Sequence, residues 1–338
     1  MLYFYLSFLT LGDVVKLLKK DFSCADELLI KKKFSGVFLY VKNGRVEFKK
    51  TMGYDSRNLP NSPETIFFIG SLTKQFTAMA ILILHEHGIL NINNSVSEYI
   101  PDYQHGSKIT IKHLLSHTSG IPDYVSKFTE YDLKNVNSSR KLINMFISLD
   151  LVFQPGTDFQ YSNSGYALLG YIIELLSGLS YGQFLQDYIF TPLGMKRSGE
   201  IWSCCDYIPI GYNLDGKLIE MSNKFTPYSA GGLFSTMEDL FLWDQGLYSN
   251  QLVNEETVKL MFTPVVKWYA LGWGPSQDKS AFYHNGNIPG FASLYIRKPL
   301  EKSSIICLSN VFKYKLKALV SEFQELIGDK VTRYWIDW

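Results

Sequence analysis

"FFIGSLTKQFTAMAILILHEHG" (Phe67 to Gly88) sets a Ser three residues before a Lys at the mouth of an otherwise apolar run. A helix starting near Ser71 carries Ser71 and Lys74 on one face, one turn apart. The run that follows is apolar almost all round, which predicts a helix buried on nearly every side and closed by Gly88. Such a helix has no structural need of a cation in its first turn, but a nucleophile beside it does. A Ser hydroxyl is a poor nucleophile until a base takes its proton. Lys74 can be that base if its pKa falls, and Phe67, Phe68, Phe76 and Met79 supply apolar surroundings that lower it. The helix N-terminus adds free backbone N–H groups and the positive end of a dipole, both suited to a developing oxyanion. Taken alone, S-x-x-K is a weak motif, and a Ser cap with a chance Lys one turn on is the better reading of it.

Outward from this helix, "FSGVFLYVKNGRVEFKKT" (Phe34 to Thr51) reads as two strands joined at Asn43-Gly44, which supplies the positive φ angles of a tight hairpin. Helical signals dominate from Gly88 to about residue 200. "SSRKLINMFISLD" has Ser caps and helical spacing, and "SNSGYALLGYIIELLSG" sets Tyr166, Leu169, Ile173 and Leu176 on one stripe that closes at Gly178. "SYGQFLQDYIFTPLGM" ends a helix at Pro192. "YIPIGYNLDGKLIEM" is strand, Asp-Gly turn, strand, and "STMEDLFLWDQGL" starts a helix with Ser235 and Glu238 spaced as a capping box. Short strands fill Trp268 to Asn310. "KYKLKALVSEFQELIG" closes as an amphipathic helix with Leu316, Leu319, Val320, Phe323 and Ile327 inward. Strands at both ends with helices between predict a mixed α/β fold: an antiparallel sheet built from both termini, flanked by helices, with an inserted all-α region. Residues 1–75 and 225–338 form the α/β domain and 76–224 the mainly helical region, one catalytic unit with the site between them.

Composition excludes several classes. The 338 residues are 46% hydrophobic and 19% charged, which is globular, and the net charge of +1 gives no field for a polyanion, so no nucleic-acid partner is expected. The four Cys match no zinc spacing. His113 and His117 in "HLLSHTSG" are four apart, but no Glu follows His113 in the metalloprotease manner and no third ligand suggests itself. "GYNLDGK" (Gly211 to Lys217) lacks the Ser or Thr a P-loop needs next, and G-x-S-x-G is absent. No cofactor or metal is expected. "MLYFYLSFLTLG" is too short to span a bilayer and has neither a preceding cation nor a small-residue cleavage site, so it reads as the start of an N-terminal amphipathic helix. A cytoplasmic location is slightly favoured, with the cell envelope or secretion as the alternative.

Two further stretches carry chemistry. In "FQYSNSGYALLG", Tyr161 and Asn163 sit two apart before a helix and point the same way in an extended segment. A Tyr hydroxyl beside a Lys ammonium has a lowered pKa and can shuttle protons, and an Asn offers an acceptor to Lys and a donor to substrate. In "FYHNGNIPGFASLYI", His284, Asn285 and Gly286 fall in a strand, where a Gly marks close backbone approach by a ligand.

Taken together and in this order, Ser71-Leu72-Thr73-Lys74, Tyr161-Ser162-Asn163 and His284-Asn285-Gly286 resemble the three motifs of the penicillin-recognising serine hydrolases. The Tyr-x-Asn and His-x-Gly forms are similar to the class C β-lactamase, D-Ala-D-Ala carboxypeptidase and esterase branch. "IKHLLSHTSGIPDY", "PLGM" and "SAGGLFSTMEDL" extend the similarity, which runs from about residue 34 to 328. The resemblance implies the mixed fold just described. It also implies that Ser71 attacks an ester or amide carbonyl, with Lys74 and Tyr161 as coupled general base and acid. Asn163 would hold Lys74 and a substrate amide. The backbone N–H groups of Ser71 and Asn287 would form the oxyanion hole, with His284 and Gly286 on the opposite wall. The implied partner is a small molecule or peptide with an amide or ester carbonyl. Many relatives have Lys-Thr-Gly where this chain has His284-Asn285-Gly286, and the loss of that cation and hydroxyl favours D-stereospecific peptidase or esterase activity over a true β-lactamase. A sensor that is acylated and never turns over is the rival from another class.

Overall fold

The computed structural model describes residues 22–203 and 209–335. The expected N-terminal amphipathic helix lies almost wholly outside them, as do Cys204 and Cys205.

Six strands form the main sheet, all antiparallel: β1 (Gly36–Lys42), β2 (Arg45–Met52), β3 (Gly274–Pro275), β4 (Phe282–Ile288), β5 (Phe291–Lys298) and β6 (Ser303–Ser309), in the order β2-β1-β6-β5-β4-β3. The β1–β2 turn uses Asn43 at φ 52° and Gly44 at φ 73°, as the Asn-Gly pair predicts. Strand β1 sits inside the sheet against β6, with Val37 opposite Leu308. The first and last strands of the chain are therefore neighbours.

Both faces of the sheet are covered. One face, with Phe38, Tyr40, Tyr283, Leu294 and Cys307, packs on helices α1 (Ser23–Lys31) and α5 (Leu316–Leu326) through Leu29, Leu319, Val320 and Phe323. The other, with Val37, Leu39, Tyr295, Ile306 and Leu308, packs on α2 (Thr73–Glu86) and the central helices. Alternate side chains go to opposite cores, so β1 reads as a continuous apolar run rather than an alternating one. Residues 73–84 of α2 are all buried. Central to the helical layer is α3 (Asn163–Ser177), which ends at Gly178 in the left-handed conformation, φ 71°. The short α4 (Tyr228–Gly231) packs against both α2 and α3.

Three sequence expectations move. Ser71 lies in a 3₁₀ turn, Gly70–Leu72, and the α-helix begins at Thr73. The cap of helix Met237–Gly246 is Thr236, whose hydroxyl accepts from Asp239 N at 3.2 Å, whereas Ser235 ends a strand and bonds Ser198. The shift of one residue arises because Ser235 is held by the strand Leu233–Ser235, leaving Thr236 as the first free hydroxyl. The helix expected to end at Pro192 runs to Leu193, with Pro192 tolerated in the first turn of the segment Thr191–Leu193. His113, for its part, completes a capping box with Thr110: Thr110 Oγ1 accepts from His113 N at 3.1 Å and His113 Nδ1 accepts from Thr110 N at 3.2 Å. Thr110→Ala is expected to destabilise the fold by about 1 kcal/mol, read by thermal or urea denaturation. Among the described residues no single helix is long and apolar enough to cross a membrane.

Candidate active site

The site is assembled where the turn before α2, the N-terminus of α3, helix α4 and strand β4 meet. Gly70 adopts φ +52°, which lets the chain turn sharply enough to lay Ser71 against β4. That turn is pinned to the sheet: Ser293 of β5 donates its hydroxyl to Ile69 O at 2.7 Å. Gly286 makes the approach possible, because a Cβ there would fall 2.3 Å from Ile69 O and 2.9 Å from Ser71 N. The backbone of Gly286–Asn287 thus lies directly against Gly70–Ser71.

Lys74 is completely enclosed. Its amino nitrogen lies 2.8 Å from Asn163 Oδ1, 2.7 Å from Ala230 O and 3.2 Å from Ser71 Oγ. The phenol of Tyr161 donates to Ser71 Oγ at 2.9 Å. Two separated stretches therefore meet at one hydroxyl, through Lys74 and Tyr161, and a third, at Ala230, holds the Lys74 amine. Burial pulls Lys74 down from the ordinary lysine value to about 7, opposed by the negative charge of Asp123. A lysine at that value is half neutral near pH 7.

The phenol does not behave as the sequence suggests. Its pKa is raised, not lowered, because burial and the Asp123 charge outweigh its hydrogen bond to Ser71. The Lys74 amine sits over the ring, 4.7 Å from its centroid. Tyr161 is accordingly a proton donor at rest and not a phenolate.

His284 also departs from its expected place. It is fully buried, so it presents no surface to a substrate. One ring nitrogen, Nε2, pairs with Tyr269 OH at 2.9 Å and the other, Nδ1, with Asn285 O at 2.7 Å. Burial and the nearby Lys74 push it down to about 3, and the ring stays neutral. It backs Tyr161, 6.2 Å between ring centroids, rather than forming the wall itself. The Gly286–Asn287 backbone lies beside Ser71, and Ser71, Asn163 and Asn287 line one cleft of about 270 Å³ together with Tyr124, Glu130 and Met221. Among the described residues, no Lys or Arg lines it.

Two residues have roles here that the sequence does not show. His117 packs its ring on Tyr161 at a tilt of 34°, 4.3 Å between centroids, and accepts from Ser162 N at 3.1 Å, fixing the segment that carries Tyr161 and Asn163; burial holds its pKa well below the usual value. Asp123 accepts from Asn163 N at 2.9 Å and from Asn163 Nδ2 at 3.3 Å. Both sit in "HTSGIPDY", where a His before a Gly turn and an Asp after Pro122 are the available signals, but neither shows its partner forty-odd residues away.

Comparison with known proteins agrees with this architecture. The Beta-lactamase family model matches residues 23–329. Penicillin-binding protein 4* of Bacillus subtilis (strain 168) is 30% identical over 312 residues, covering 83% of this chain and 69% of that protein. The crystal structure of a penicillin binding protein from Bacillus halodurans superimposes with a TM-score of 0.78 at 27% identity, over 89% of this chain and 98% of the other. A D-amino acid amidase from Ochrobactrum anthropi SV3, at 22% identity and a TM-score of 0.73, covers 87% of this chain and 93% of its own and shares the fold. With a family match running from the first described helix to beyond the last, the chain belongs to the beta-lactamase family.

Proposed function

We propose that the protein is a serine hydrolase that cleaves an amide or ester through an acyl-enzyme on Ser71, acting as a penicillin-binding-protein-like D-stereospecific peptidase or esterase. The observation that carries this reading is the environment of the Lys74 amine. A neutral amine has two N–H groups and one lone pair. Asn163 Oδ1 and Ala230 O take the two hydrogens, which leaves the lone pair for the Ser71 hydroxyl. Lys74 is then a base already aimed at the nucleophile.

In this reading Ser71 Oγ attacks the carbonyl carbon as its proton passes to Lys74 Nζ. The carbonyl oxygen becomes an oxyanion, held by the backbone N–H groups of Ser71 and Asn287 on facing segments. Lys74 and Tyr161 then protonate the leaving nitrogen or oxygen as its bond to carbon breaks, leaving an acyl-enzyme. Water, giving its proton back to the same pair, releases the acid. The neutral His284 and the absence of Lys and Arg from the lining of the cleft, among the described residues, support esters and peptide amides with no free carboxylate beside the scissile bond over β-lactams, whose carboxylate calls for a cation.

A panel of p-nitrophenyl esters, D-alanyl peptides and a chromogenic cephalosporin tests the substrate, with intact mass following the label left on Ser71. A label that forms and decays supports the hydrolase, whereas a permanent one would make the protein a sensor. The pH dependence follows from Lys74. The base form is lost as pH falls through about 7, so kcat/KM is expected to drop tenfold per unit below that value and to level off above it. A profile flat from pH 5 to 8 would remove Lys74 from the role of base.

A further inference from the structure

We propose that Asp123 is a positioning residue for the Ser71–Lys74 pair, acting through the side-chain amide of Asn163. The inference rests on the roles of Ser71 and Lys74 given above and extends them to a residue that touches neither. An amide side chain can be turned either way. Here the amine of Lys74 can only donate toward its neighbour, and the carboxylate of Asp123 can only accept. Asn163 Oδ1 therefore faces Lys74 at 2.8 Å and Nδ2 faces Asp123 at 3.3 Å. Turning the amide over would oppose donor to donor and acceptor to acceptor at both ends. Asp123 also takes Asn163 N at 2.9 Å, which fixes the backbone from which that side chain springs. The carboxylate thus sets the direction of one of the two acceptors that hold the Lys74 lone pair on Ser71.

The same carboxylate acts at a distance. It is the charge that opposes the desolvation of Lys74, so it keeps the amine more basic than burial alone would. The other groups facing Lys74 add no competing charge. Tyr161 and Tyr166 present rings at 4.7 and 5.4 Å, with phenols held protonated by burial, and α4 presents the Ala230 carbonyl. His117 and His284 are both kept neutral by burial. On the far side of Asp123, Tyr124 is buried with its phenol raised.

The test reads Lys74 directly. The full chain is labelled with [ε-¹³C]lysine, and the Lys74 signal is assigned by its loss in Lys74→Met. Its titration is expected to centre near pH 7 in the wild type and to move down by about one unit in Asp123→Asn, because the carboxylate charge is gone. In parallel, the rate of Ser71 labelling by a fluorophosphonate is expected to fall about tenfold on its high-pH plateau as Asn163 loosens. Asp123→Glu keeps the charge with a longer reach, so it should restore the midpoint while leaving the plateau low. An Asp123→Asn protein that keeps the wild-type circular dichroism and the wild-type midpoint overturns the proposal. If Asp123→Asn does not fold, Asp123→Glu with an unchanged plateau overturns it. The lysine titration needs no turnover, so a wild type whose Ser71 never labels would count against the hydrolase reading while the carbon shift still decides the role of Asp123.

Discussion

Ser71→Ala is expected to abolish turnover, with kcat/KM on the best substrate of the panel falling about 10⁴-fold or more. In the proposed mechanism Ser71 is the one group whose loss no neighbour replaces: Lys74 and Tyr161 both point at its oxygen, and neither would form the acyl bond in its stead. The fold should survive. Ser71 is only half-buried, and Lys74 keeps Asn163 Oδ1 and Ala230 O as partners when the hydroxyl is gone. Steady-state rates, intact mass after fluorophosphonate treatment and a thermal melt together check this. A variant with normal rates and a full label would place the nucleophile elsewhere.

Gly286→Ala should be nearly as damaging for a different reason. The added carbon would fall 2.3 Å from Ile69 O, 2.5 Å from Ser293 Oγ and 2.9 Å from Ser71 N. Two of those atoms are backbone, and the third is a hydroxyl already donating to Ile69 O, so no flexible side chain can swing aside. Strand β4 and the Ser71 turn must separate. The backbone N–H groups on the two facing segments then cease to converge, and losing one such donor costs about 10²–10³ in kcat. Overpacking adds about 1–3 kcal/mol of destabilisation, visible as a lower denaturation midpoint. Unchanged kcat would mean that the two segments do not cooperate in catalysis.

The legible parts of this protein were those written in local pattern. The apolar run after Lys74, the Asn43-Gly44 turn and the Gly178 stop each carry their own signal over a few residues, and each lies where its signal points. The spacing of Ser71 and Lys74 was legible for the same reason, as one helical turn. The meeting of these two with Tyr161 was not, because ninety residues intervene; only the resemblance of three motifs taken together brought them to one place. What failed was what burial decides. A nearby amine predicts an acidified Tyr161 phenol, but the enclosed site raises it and lowers the amine instead. The motif resemblance puts His284 on the wall of the cleft, but its ring is turned inward to Tyr269. Asp123 was illegible because its local bond, from the Val125 backbone, is ordinary, whereas those that matter reach forty residues along the chain.

The placement of β1 beside β6 governs when the candidate site can assemble. Val37 and Leu308 must find each other across almost the whole polypeptide, so sheet closure waits for the final strands to leave the ribosome. The anchor that seats the Ser71 turn, Ser293 on Ile69, belongs to that same late sheet. The central helices can form from neighbouring contacts while synthesis continues, but a nascent chain that stops short of its last strands carries the serine and the lysine without the surface that aims them.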